Sequence, residues 1–137
     1  QQKEIQDTVK LLTTMRTVAG ASRDYALLME KGSELALADT TTFGQMDMAK
    51  FRRSNPIPSP EILRQFLAND LISRHVSSFS HQQLYLSFFD LEKVASTSDY
   101  GTYARLSDRL VKVIDSEVAY QEGEIDMKEL RSKSSLE

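Results

Sequence analysis

Cysteine and tryptophan are absent from this 137-residue sequence, and glycine and proline are scarce, at five and three residues. Without cysteine there is no disulfide framework, no thiol nucleophile and no thiolate zinc site. The shortage of turn-formers argues against a β-sandwich or barrel, which needs a turn roughly every 8–12 residues. All three prolines (Pro56, Pro58 and Pro60) fall within five positions, so the rest of the chain carries no proline to break a helix. A run of about 20 apolar residues, long enough to span a membrane, is missing too. Nor does one sign of charge dominate. Seventeen Lys and Arg face 20 Asp and Glu, for a net charge of −3, so there is no basic excess to attract nucleic acid. What is present is a 40% hydrophobic share, too high for a disordered chain and enough for one domain with its own core.

The sequence starts at Gln1 without an initiating Met and finishes on Leu136-Glu137, which reads as a cloning scar. The expectation is a segment of a longer protein, with 132–137 a disordered tail.

The apolar pattern is helical. Ile5, Thr8, Leu12, Met15, Ala19, Ser22, Ala26 and Met29 recur at 3-4 spacing, which predicts a helix over 3–37 with one buried stripe, about 50 Å long. Its middle, Ala19-Gly20-Ala21-Ser22, is small; this suits close approach by a neighbour or leaves space for a ligand. Asp39-Thr40-Thr41-Thr42 breaks the pattern, because their side chains compete for backbone hydrogen bonds. A long loop over 39–59 is expected, with one helical turn near Met46–Phe51 and an extended Asn55–Pro58. Ser59-Pro60-Glu61 signals a helix start and predicts a second helix over 60–76. Ser80 and Gln83 form a capping-box pattern before a third, aromatic-rich helix over 81–96. A fourth helix follows over 100–122 or longer, with Glu117 interrupting its seam. The fold expected is an all-α four-helix bundle, up-down-up-down, with long first and last helices and two shorter inner ones.

Chemistry-bearing motifs are lacking. No glycine-rich phosphate loop, nucleophile elbow or H-E-x-x-H occurs, so no catalytic residue, metal ligand or cofactor is assigned. His75 and His81 are six apart across a turn, a poor spacing for a metal. Four arginines are better candidates. Arg16 and Arg23 lie two turns apart on the first helix, and Arg105 and Arg109 lie one turn apart on the last. Facing flanks would make a cationic cleft for a small anionic ligand; otherwise the arginines pair with Asp24, Asp108 and Asp115.

This layout resembles the four-helix ligand-binding domains of bacterial membrane receptors, the sensor kinases and chemoreceptors. The resemblance is architectural and rests on no motif, so it transfers no functional residue. It implies a periplasmic, ligand-sensing domain, homodimeric, flanked by membrane spans outside this segment and signalling by helix displacement. The alternative is a helical protein-interaction module, cytoplasmic or membrane-anchored, without a small ligand, whose contacts would come from Phe43, Met46, Met48 and Phe51 in the long loop.

Overall fold

The computed structural model describes residues 2–38 and 48–135. Six helices account for nearly all of them: α1 (Gln2–Ala38), α2 (Met48–Ser54), α3 (Glu61–Leu67), α4 (Asp70–His75), α5 (Ser78–Thr97) and α6 (Tyr100–Ser135). No strand occurs among the described residues.

The two long helices form the axis of the molecule. α1 buries Ile5, Thr8, Leu12, Met15, Ala19, Ala26 and Ser33, the 3-4 stripe of its sequence. Facing them, α6 buries Tyr103, Ala104, Ser107, Leu110, Val111 and Ile114. Small side chains on both faces let the two backbones approach. Arg16 pairs with Asp115 and Arg23 with Asp108: moving seven residues forward on α1 moves the partner seven back on α6. The helices are therefore antiparallel, and the same register sets the far part of α6, residues 121–129, beside residues 2–10. α5 packs along α6, α3 and α4 lie on α1, and α3 also touches α5. Leu84, Phe88 and Leu91 from α5, with Leu63, Leu67 and Ile72 from α3 and α4, complete a continuous core.

Three boundaries depart from the sequence expectation. The helix expected over 60–76 is broken in two, because the Asn69 side chain accepts from the Leu71 N–H at 2.9 Å and starts a new helix. Asparagine at an N-cap satisfies a donor that a continuous helix would have bonded otherwise. α5 starts three residues early: Ser77, not Ser80, is its N-cap, its hydroxyl accepting from the Ser80 N–H. α6 runs without a break through Gly123 to Ser135, so residues 132–135 are helical rather than a disordered tail.

Within the expected 39–59 loop lie α2 and an extended segment. That segment is tied to the α5–α6 turn. Tyr100 Oη donates to the Asn55 carbonyl at 2.6 Å, and the Ile57 N–H donates to Ser98 Oγ at 3.1 Å. Ile57 is buried against the core.

Candidate functional site

A cavity of about 350 Å³ opens where α1 carries its smallest residues. Ala21 and Ser22 form one wall, Ile57 to Pro60 a second, and Ile62, Leu63 and Tyr103 the rest. The cause is local. Alanine and serine leave volume on α1, and the proline-bounded extended segment has no helical side-chain face to fill it. The volume lies in the range of small-molecule sites. Among the described residues no charged side chain lines it. Its polar groups are hydroxyls: those of Ser22, Tyr25, Ser59 and Tyr103 stand at the wall. Burial pushes the Tyr103 hydroxyl above its ordinary pKa, and the neighbouring Ser22 hydroxyl partly opposes that rise. Such a site suits an apolar ring with one or two hydrogen-bonding groups.

The four candidate arginines are dispersed. Arg23 and Arg105 line one polar groove between α1 and α6, along with Asp24, Glu30, Asp108 and Lys112. Within it Arg23 Nη1 and Lys112 Nζ each lie 2.9 Å from Asp108. These contacts hold the Asp108 carboxyl below its usual range, the Lys112 hydrogen bond contributing most and Arg23 next. Arg105 donates to the Thr102 hydroxyl at 3.0 Å. Arg16 lies two turns along, paired with Asp115. Arg109 turns the other way, to Ser87 at 3.2 Å and Asp90 at 2.9 Å on α5. The flanks of α1 and α6 do meet, but with acids interleaved.

The sequence reading passed over a second arginine pair. Arg52 and Arg53, on α2, line a groove of about 420 Å³ with Pro56, Ser96, Thr97 and Ser98. No carboxylate pairs with either among the described residues, and Arg52 Nε is buried without a hydrogen-bond acceptor.

Glu117 is only 1% exposed and does not reach water. Its carboxylate accepts from Ser77 Oγ at 2.8 Å and from Gln121 Nε2 at 2.6 Å. His75 Nε2 lies 2.8 Å from Glu4 Oε2, and the His81 ring packs against Tyr85 at 4.8 Å between centroids, tilted by 58°. The described residues contain no group of three or more potential metal ligands.

Of the loop residues, Phe43 and Met46 lie outside the described residues, as does the Met48 side chain. Phe51 is half-buried, edge-on to Tyr100 at 6.0 Å, and packs on the core. No described helix is long and apolar enough to cross a membrane. No family model, curated protein or solved structure matches the chain.

Proposed function

We propose that this chain is the extracytoplasmic ligand-sensing domain of a bacterial membrane receptor, of the sensor-kinase or chemoreceptor type. In this reading it is an up-down-up-down four-helix bundle whose second arm is α3 and α4 together, interrupted at Asn69. One observation carries the proposal: the apolar cavity is bounded by both long antiparallel helices, through Val18 and Ser22 on α1 and Tyr103 on α6. A ligand seated there touches both helices, between Ser22 and Tyr103. Its binding energy then bears directly on the position of α1 against α6, which is how such receptors signal, commonly as homodimers. Catalysis has no part in this reading. An anionic ligand in the polar groove would meet Arg23 and Arg105, not Arg16 or Arg109.

Thermal-shift titration with indole and p-cresol tests the site. These probes should raise the melting temperature of the wild type, and Ser22→Leu, which fills the cavity, should remove the response while the domain stays folded. No response from either probe, or an unchanged response in Ser22→Leu, counts against the cavity as the sensing site.

The rival reading is a protein-interaction module. It draws support from the outer face of α5, where Phe79 is 74% exposed and Leu86 and Phe89 are exposed beside it, a larger apolar display than a solvated helix needs. If Phe79→Ser with Leu86→Ser abolishes capture of a partner and leaves indole binding intact, this reading gains.

A further inference from the structure

Most arginines on the body of this domain have a carboxylate. Arg16, Arg23, Arg64, Arg74 and Arg109 each make an ion pair. Arg52 and Arg53, adjacent on α2, have no such partner among the described residues. The Arg52 Nε–H is also cut off from solvent with no acceptor. A buried donor on a charged group is among the costliest to leave unbonded, and native structures leave few such groups unexplained.

The wall opposite α2 adds a second donor. Ser98 is the one non-glycine residue with positive φ among the described residues, at 53°, and is only 6% exposed. Its Oγ accepts the Ile57 N–H, so its own proton is uncommitted and Ser98 borders the groove. Ser96 and Thr97 differ. Their hydroxyls donate to the Lys93 and Val94 carbonyls at 2.6 and 2.9 Å, so they line the groove without offering a proton.

We propose that the groove between α2 and the α5–α6 turn binds a small oxyanion, held by the guanidinium groups of Arg52 and Arg53 and by the Ser98 hydroxyl. The site is built of donors, and no carboxylate lines it among the described residues. Planar guanidinium forks match the spacing of oxygens in a phosphate or carboxylate, and a volume of about 420 Å³ admits either group with more of its molecule attached. Ser98 also holds Ile57, which walls the apolar cavity. The bound anion therefore sits directly behind the segment that closes that cavity. The proposal stands independently of what the cavity binds.

The test is thermal shift with sodium phosphate and sodium succinate, each against sodium chloride at matched ionic strength. One or both should raise the wild-type melting temperature by a few degrees at roughly 100 times the dissociation constant, and the responding salt identifies the headgroup. Arg52→Gln with Arg53→Gln should abolish the response, and Arg16→Gln should keep it. Should the double variant fail to fold, amide NMR of the wild type decides: the Ser98 and Ile57 signals should move on titration. The proposal is overturned by the absence of any shift beyond chloride, by an equal shift in the folded double variant, or by unmoved Ser98 and Ile57 amides.

Discussion

Ser77 Oγ donates to Glu117 Oε1 at 2.8 Å, across 40 residues of chain. Ser77 is the N-cap of α5, and the Ser77 N–H points at the other carboxylate oxygen at 3.4 Å. Glu117 thus places its charge at a helix N-terminus, where the α5 dipole favours an anion. Gln121 extends the contact by donating to both Glu117 and the His75 carbonyl, at 2.6 Å each. A buried carboxylate with no basic partner among the described residues is held in this way, and α6 is fastened to the junction of α4 and α5.

Replacing Glu117 by Ala should therefore cost about 2 kcal/mol or more, since it strands the Ser77 and Gln121 donors inside the protein. Glu117→Gln keeps one acceptor oxygen and should cost about half as much. Urea unfolding at neutral pH gives both values. A loss below about 0.5 kcal/mol for Ala, as for an ordinary surface change, would mean the network contributes little.

Ser107 gives the opposite sign. It is fully buried, and its hydroxyl has no partner. Ser107→Ala removes an unsatisfied polar atom with little change of shape, and should stabilise the domain by about 1 kcal/mol. Destabilisation of similar size would indicate that a bonding partner, such as an ordered water, satisfies the hydroxyl.

Stability should fall on the acid side. The hydrogen bond to His75, then the charge of Arg74, hold Glu4 below the ordinary 4.5; Lys112 and Arg23 hold Asp108 below 3.8. A carboxyl depressed in the folded state contributes fully above its unfolded pKa, and the contribution is lost as pH drops through the folded value. Asp108→Asn should melt below the wild type at pH 7, and the gap should close at an acid pH below the depressed Asp108 pKa. The groups are solvent-facing, so the gap is small and shrinks with salt. A gap that is the same at both pH values would assign it to something other than these ion pairs.

The long-range order of the chain was legible wherever a single period ran far enough. Leu12, Met15, Ala19 and Ala26 marked the buried face of α1 because each additional turn repeats the same constraint. The small Ala19–Ser22 stretch allowed either close helix approach or open space, and the fold has both: Ala19 is buried, while Ala21 and Ser22 border the cavity. Short-range choices were less visible. Ser77, Ser78 and Ser80 are all capable caps, and Ser77 wins through Glu117, which no local window contains. Asn69 split an arm because one side-chain hydrogen bond outweighed a helical pattern on both sides. Arg52 and Arg53 resemble any solvated basic pair until the fold places no acid among the described residues opposite them.

Gly123 lies inside α6 in open space, with nothing near where a Cβ would be. The sequence left the end of this helix open, at 122 or beyond, and the helix runs through Gly123. Its backbone then carries only the entropic cost of glycine, so Gly123→Ala should stabilise by about 0.5–1 kcal/mol, visible as a higher melting temperature. No gain would mean that α6 is frayed there in solution.

Ser98 separates backbone strain from hydrogen bonding. A serine at φ 53° costs about 1 kcal/mol or more relative to glycine, and its hydroxyl satisfies the Ile57 N–H. Ser98→Ala keeps the strain and loses the acceptor, and should cost about 2 kcal/mol. Ser98→Gly loses the same acceptor but relieves the strain, so its cost should be smaller by about 1 kcal/mol. Urea midpoints of the two variants decide the order. Glycine as costly as alanine would mean that the hydrogen bond to the extended segment dominates, and that the left-handed turn is held without measurable strain.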